Sequence, residues 1–152
     1  MTPIKFDIPG NPPAGILDEQ NTSVSVVDAD GNPNLVIEAG KGFSVPVHWE
    51  LTGFLAPLIV NDWHVRLFAD GIGAPFNGKL AETEAVTATA IGGGIAYDAV
   101  LVVPPAVANT LVDAAGDGVY ELAVVISHDN VFDVRDTMAG FAGDLIVEVR
   151  KP

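Results

Sequence analysis

The stretch GFSVPVHWEL at residues 42–51 alternates apolar and polar side chains almost without interruption. Successive side chains of a β-strand point to opposite faces, so this pattern predicts a strand with one face in a core and the other in water. The members that we expect to face the core are Phe43, Val45, Val47, Trp49 and Leu51. Because similar alternation recurs along the chain, the sequence predicts an all-β protein.

Seven strands are predicted, and turn-forming residues such as Gly, Pro and Asp separate them. They cover residues 23–28, 43–51, 63–69, 85–90, 96–103, 119–127 and 145–150, and a short extension of the first strand covers residues 35–38. The candidate helical turn at residues 106–114 is short and contains β-branched residues. Many short strands at this spacing predict two antiparallel sheets packed as a sandwich.

The chain has 152 residues and no cysteine. At this length one domain buries roughly 70% of the surface of its unfolded chain, so the core needs no disulfide. The absence of cysteine excludes a disulfide framework, a thiol nucleophile and any cysteine-ligated metal. We therefore expect a single domain, stabilised by its hydrophobic core.

Acidic residues dominate the charge, with 20 Asp and Glu against 7 Lys and Arg and a formal net charge of −13. Such a surface repels phosphates and anionic headgroups, so we expect neither nucleic acid binding nor membrane insertion. No apolar run approaches the roughly 18 residues of a membrane span, and the first residues lack the apolar run of a secretory signal. The expected location is the cytoplasm, or outside it after export without a cleaved signal peptide as part of an assembly.

Residues 1–20 are rich in Pro and Gly, and we expect them to form an extended N-terminal arm rather than a central strand, because Pro removes backbone donors. Within the arm, Ile4, Phe6 and Ile8 occupy alternate positions. A merely solvated tail has little use for these apolar side chains. The arm is therefore predicted to lie in a groove, either on its own domain or on a neighbouring molecule, while residues 21–152 form the sandwich.

One short motif resembles a known fold family. The run DGVYEL at residues 117–122 is similar to the start of the sixth strand of immunoglobulin-like domains, where a Tyr hydroxyl ties back to the preceding loop and a core residue follows. The resemblance implies that Tyr120 is the corner residue, that Leu122 is a core residue, and that Trp63 or Trp49 is the core Trp. In strand order it covers about residues 22–150 and implies a bacterial immunoglobulin-like or fibronectin-III-like domain. Such folds host many functions, so the resemblance concerns architecture.

The connections that follow the second, fourth and sixth strands share one end of such a sandwich, and the arm emerges there too. Two of these connections, residues 52–62 and 128–144, are unusually apolar for loops. They plug the core, expose an apolar surface to a partner, or dip into a membrane, although the acidic charge opposes the last of these. The candidate partner-binding residues, including two from the arm, are Phe6, Ile8, Phe54, Leu55, Leu58, Ile59, Val131, Phe132, Met138 and Phe141.

Nothing in the sequence resembles a catalytic motif. There is no G-x-S-x-G, and the serine residues fall inside predicted strands. The histidines, His48, His64 and His128, do not stand at metal-ligand spacing. The sequence therefore predicts a non-enzymatic subunit for protein binding or assembly, whose partner is another protein or an identical subunit.

Calcium is the one cofactor for which the sequence offers candidate ligands. Asp129, Asp133 and Asp136 would supply part of the six to eight oxygens that calcium requires, but their spacing fits no known calcium loop. The run DADGNPN at residues 28–34 opens like an EF-hand loop, but Pro33 stands where that loop needs Gly, so a tight turn is the better interpretation. The alternative function is a calcium-dependent carbohydrate-binding module that stacks sugars on exposed rings, although two Trp and two Tyr are few for that role.

Overall fold

The computed structural model describes residues 2–8, 12–74, 76–113, 116–128 and 138–151. In chain order its strands are β1 (Lys5–Asp7), β2 (Asp18–Val24), β3 (Val27–Asp28), β4 (Val36–Glu38), β5 (Phe43–Thr52), β6 (Trp63–Gly71), β7 (Asn77–Thr83), β8 (Thr87–Ile91), β9 (Gly94–Val103), β10 (Asp117–His128) and β11 (Met138–Arg150). A short helix, α1 (Pro105–Ala108), and 3-10 turns at Ala39–Lys41, Ala56–Leu58 and Asn109–Leu111 lie between them.

The strands form two sheets. The large sheet has the order β1-β11-β10-β6-β7, with β4 added beside β11, and the small sheet has the order β2-β5-β9-β8, with β3 added beside β5. Neighbouring strands are antiparallel except for β4, which runs parallel to β11. The predicted all-β antiparallel sandwich is therefore confirmed, with more strands than the seven predicted.

The core lies between the sheets, where β5 buries alternate residues as its sequence predicts. Three aromatic rings meet there: Trp49 stacks on Tyr97 with centroids 5.5 Å apart, and the edge of Trp63 meets both rings at 5.3 and 5.2 Å. Both Trp residues are thus core residues, and Leu122 is fully buried as the resemblance implies. The cluster lies near the ends of β5 and β6, beneath the connection between them.

Several strand assignments needed correction. The predicted first strand, residues 23–28, is divided into β2, which begins at Asp18 within the predicted arm, and β3. The predicted extension at residues 35–38 contains β4, which pairs with β11 in the large sheet and not with the strands beside β5.

The prediction omitted β7, whose sequence NGKLAET buries one apolar side chain, Leu80, and so lacks an alternating apolar face. It also began the last strand at residue 145, whereas β11 begins at Met138. The reason is a bulge in the pairing with β10, which sets Gly143 and Asp144 opposite Ala123 alone and lets the strand continue past two glycines.

The described part of the N-terminal arm packs on its own domain. Strand β1 pairs with β11 at the edge of the large sheet, with Lys5 opposite Phe141, and Thr2 forms a bridge to Val24 in the small sheet. Ile4 is buried with only 4% of its surface exposed. Of the two placements that the sequence allowed, the structure therefore shows the one within the same molecule.

The hydroxyl of Tyr120 accepts a hydrogen bond from the backbone N–H of Phe76 at 3.3 Å. The ring itself is fully buried, as expected for a corner residue. Its partner, however, lies in the turn between β6 and β7 and not in the segment that precedes β10, so the expected tie to the preceding loop is wrong. The Tyr instead fastens the β6–β7 turn to the start of β10.

Candidate functional site at the loop pole

Strand register places several connections at one end of the sandwich. Thr52, at the end of β5, lies opposite both Asp18 and Gly94, and His128, at the end of β10, lies opposite both Trp63 and Met138. We call this end the loop pole and define it as residues 12–18, 53–62, 84–86 and 92–93. The β5–β6 and β8–β9 connections and residues 12–18 of the arm therefore gather at one end as predicted, whereas the third predicted connection falls on residues 129–137, outside the described residues.

The β5–β6 connection is held firmly by its neighbours. The backbone N–H groups of Phe54 and Leu55 donate to the carbonyls of Gly15 and Ile16 at 3.0 and 2.9 Å. Two further bonds tie its ends: the N–H of Gly53 donates to the carbonyl of Gly93, and the side chain of Asn61 donates to the carbonyl of Val86. The segment therefore has a fixed conformation rather than that of a loose loop.

His128 supports this connection from below. Its ring is fully buried, its Nε2 lies 2.5 Å from the carbonyl oxygen of Val60, and its face meets Trp63 edge-on at 4.8 Å. Because a carbonyl oxygen only accepts, Nε2 carries the hydrogen. From the sequence, His128 is only one of three histidines that lack metal-ligand spacing. Because Val60 is 68 residues away in the chain, no local pattern signals the contact.

Some side chains of the β5–β6 connection point into the core, and others point into solvent. Ala56 and Ile59 are buried, with 0% and 5% of their surfaces exposed, and they belong to the same core cluster as the aromatic rings. Phe54, Leu58 and Val60 project outward and are 78%, 67% and 64% exposed. One half of this loop therefore plugs the core, and the other half faces solvent. Ile59 belongs to the plug, which corrects its assignment to the exposed surface.

The other predicted partner-binding residues do not join this surface. Phe6, Ile8 and Leu55 are partly buried against the core, and Met138 is fully buried. Phe141 is 53% exposed, but it lies in β11 on the outer face of the large sheet and not in a loop. Val131 and Phe132, like the candidate calcium ligands Asp129, Asp133 and Asp136, lie outside the described residues.

The loop pole is acidic as well as apolar. Asp18, Asp62 and Glu84 lie in it, and none of its described residues is Lys or Arg. Just below Glu84, His64 bridges two strands of the large sheet: its Nε2 lies 2.9 Å from a carboxylate oxygen of Glu82, and its Nδ1 lies 2.7 Å from a guanidinium nitrogen of Arg66. Since a guanidinium only donates, His64 accepts at Nδ1 and donates to Glu82 at Nε2.

Metal-ligating side chains do not converge within the described ranges, where no group of three or more His, Asp or Glu could hold an ion. In the predicted tight turn, Asp28 uses one carboxylate oxygen to accept the N–H groups of Asp30 and Asn32, both at 3.0 Å. These bonds, above all that from Asn32, hold the pKa of Asp28 below its ordinary value. The Asp28 carboxylate is therefore part of the tight turn that the sequence predicts.

The aromatic rings that the carbohydrate-binding alternative requires are inside the protein. Trp49, Trp63, Tyr97 and Tyr120 each expose 2% or less of their surfaces, and they are all of the Trp and Tyr in the chain. None can therefore stack on a sugar at the surface in this structure.

Among the described residues, no helix has both the length and the apolar character needed to cross a membrane.

No protein-family model matches the chain, and no curated protein matches it. Among solved structures, it is similar to AggA, the major subunit of aggregative adherence fimbriae type I from Escherichia coli. The two chains share 12% sequence identity at a TM-score of 0.29, over 89% of this chain and 96% of that chain. So distant a likeness says nothing of function.

Proposed function

We propose that this protein is a non-enzymatic binding or assembly subunit that docks onto another protein through its loop pole. The observation that carries the proposal is the outward projection of Phe54, Leu58 and Val60 from one firmly held connection. The partner is another protein or an identical subunit.

Single exposed apolar residues are common on protein surfaces and need no explanation. Three large ones within seven residues of one segment do call for an explanation. Covering them with a partner would be favourable by about 25 cal/mol for each Å² of apolar surface removed from water. The hydrogen bonds that the segment's N–H groups donate to the carbonyls of Gly15, Ile16 and Gly93 hold it in this outward-facing conformation. A rigid apolar surface also loses little conformational entropy when a partner covers it. These properties favour docking.

Two further parts of the proposal concern the rest of the molecule. The acidic exterior disfavours nonspecific association, since like charges repel along most of the surface. The finer fold assignment, an immunoglobulin-like or fibronectin-III-like domain, is supported by the order of the main strands and by the buried Tyr120, and it stays part of the proposal.

The proposal is tested by comparing wild type with Phe54→Asp and Leu58→Asp in sedimentation velocity runs over a wide range of concentrations. Ile146→Asp is the matched control, because Ile146 is also about half exposed (52%) but lies on β11 away from the loop pole. We expect the two loop-pole variants to lose association while the control keeps it. If wild type is monomeric, the proposal instead requires that a protein co-purified with it binds wild type and the control but not Phe54→Asp. Association or partner binding that survives both loop-pole variants contradicts the proposal.

A further inference from the structure

One edge of the large sheet contains a gap. Strand β1 pairs with residues 139–141 of β11 and β4 pairs with residues 148–150, both on the side of β11 that faces away from β10. Between them, residues 142–147 have no strand partner on that side among the described residues. At roughly 3.3 Å per residue, this edge gap is about 20 Å long, which is enough for a short strand.

The backbone of Ile146 faces the edge gap. The N–H of Glu148 donates to the carbonyl of Leu35 at 2.8 Å, so the backbone groups of Glu148 point away from β10. Backbone groups alternate sides along a strand, and the register with β10 is regular over residues 145–150, so the N–H and carbonyl of Ile146 point the same way. Neither has a hydrogen-bond partner there among the described residues. An unpaired donor and acceptor at a sheet edge form a template for another strand.

An apolar groove with a volume of about 820 Å³ lies beside the edge gap, between the edges of the two sheets. On the side of the small sheet it is lined by the buried Val24 and Val26. On the side of the large sheet it is lined by Leu35, Val36 and Ile146, whose side chains are about half exposed. A strand that paired with Ile146 would therefore also cover apolar surface that now faces water.

We infer that the edge gap binds an extended segment of a different protein, which adds a short strand beside Ile146. The segment alternates apolar and polar residues, because successive side chains of a strand alternate faces and only one face enters the groove. It also carries a Lys or Arg. Asp144 is the only charged residue that lines the groove, and it is exposed and makes no ion pair with the described residues.

The surroundings of the edge gap argue against a second copy of this chain as the occupant. Because β1 and β4 bound the gap, the long sheet edge of another folded domain would meet these two strands before it reached Ile146. The arm, an extended segment with alternating apolar residues, is already held on its own domain, where Ile4 is buried. The net charge of −13 also favours a basic segment over another acidic copy. The gap is separate from the loop pole, so this partner is additional to the one in the proposed function.

Calorimetric titration with synthetic peptides tests the inference. The probe is Lys-Val-Thr-Val-Thr-Val, used also with the Lys at the opposite end because a strand can pair in either direction. Replacing Lys with Glu is expected to raise the Kd about threefold, since the charge contact is exposed. Methylating the peptide's backbone nitrogens removes its donors and is expected to raise the Kd about tenfold.

The variant Ile146→Pro isolates the backbone contribution. Proline lacks the N–H and is tolerated on an edge strand where that N–H faces solvent, so the variant is expected to fold and to bind the peptide about tenfold more weakly. Ile146→Val is the matched control and should bind like wild type, because it keeps both the N–H and an apolar side chain. Leu35→Asp leaves the edge intact and should also weaken binding. Phe54→Asp, at the loop pole, should leave peptide binding unchanged.

Hydrogen exchange observes the edge directly. The amide of Ile146 is expected to exchange quickly in the free protein and about tenfold more slowly when the peptide is bound. Slow exchange in the free protein, unchanged binding by Leu35→Asp and by the methylated peptide, or no binding of either probe would overturn the inference. Self-association that is lost in Ile146→Pro and kept in Phe54→Asp would identify a second copy as the occupant and would overturn it too.

Discussion

The Nδ1 atom of His48 lies 2.7 Å from a carboxylate oxygen of Asp98, a contact that joins β5 to β9 across the outer face of the small sheet. The Nε2 atom of the same ring lies 2.7 Å from Glu50, whose other oxygen accepts the side-chain amides of Gln20 and Asn21. Both ring nitrogens can donate to carboxylates only when the imidazole is protonated. His48 is therefore a charged clamp over three strands.

The clamp makes the stability of the protein depend on pH. Burial is the largest single influence on the ring and lowers its pKa, but hydrogen bonds and charge from Glu50 and Asp98 together outweigh it and raise the pKa of His48 above its ordinary value of 6.5. The folded chain then holds the proton more tightly than the unfolded chain. The clamp contributes fully below pH 6.5 and is lost as the pH rises through the raised value.

We predict that His48→Gln removes this dependence. The difference in free energy of unfolding between wild type and variant should be at most about 1 kcal/mol below pH 6.5, because the groups are partly exposed, and should shrink as the pH is raised. Urea unfolding at a series of pH values measures it. A difference that stays constant or grows with pH would show that the ring is not protonated in the folded chain.

Tyr120 and Tyr97 form a matched pair of buried hydroxyls. The hydroxyl of Tyr120 accepts a bond from Phe76. That of Tyr97 makes no hydrogen bond of good geometry among the described residues. Burial raises the pKa of Tyr97, and the nearby Trp63 side chain acts against this to a smaller extent. Tyr120→Phe is expected to lower the free energy of unfolding by about 0.5–1.5 kcal/mol. Tyr97→Phe should be neutral or stabilising, since it removes an unsatisfied polar group. Equal losses for the two variants in urea unfolding would contradict this.

Gly94 and Gly92 give a similar contrast in the β8–β9 turn. A Cβ on Gly94 would collide with the backbone carbonyl of Leu51, whereas a Cβ on Gly92 would meet nothing within 4 Å. We expect Gly94→Ala to destabilise the fold by about 1–3 kcal/mol through overpacking and Gly92→Ala to be nearly neutral. Thermal unfolding followed by circular dichroism checks both, and a neutral Gly94→Ala would mean that β9 approaches β5 less closely than described.

Ile4 tests the placement of the arm. The side chain is buried on its own domain, so Ile4→Ala should cost about 2–5 kcal/mol, whereas Lys5→Ala, on the exposed side of β1, should cost little. The loss should be the same at every protein concentration. A loss that disappears in dilute samples would instead mean that the arm packs on a neighbouring molecule.

Local pattern was sufficient for much of the fold. The alternation of β5, the turn at Asp28 and the gathering of loops at one end all follow from neighbouring residues and from antiparallel connectivity. Strand β7 was missed because it buries only Leu80, and the early start of β11 was missed because two glycines resemble a loop when the bulge opposite Ala123 is unknown.

The site was harder to predict because it depends on contacts between distant segments. Sequence identifies residues 53–60 as apolar, but which side chains point outward follows from bonds to Gly15, Ile16 and His128. The charged clamp likewise needs the register that sets Asp98 opposite His48, fifty residues away. Only the presence of Glu50 two residues after His48, on the same face of β5, was visible beforehand.

Hydroxyl-radical footprinting of wild type at low and at high protein concentration tests the loop pole most directly. In dilute samples Phe54 and Leu58 should be oxidised readily, in line with their exposure of 78% and 67%, and both should become protected as assembly proceeds. Phe141, on the outer face of the large sheet, should react equally in both samples. Protection of Phe54 and Leu58 already in dilute samples would contradict the account. Equal reactivity of both residues at every concentration and with every partner would contradict it as well.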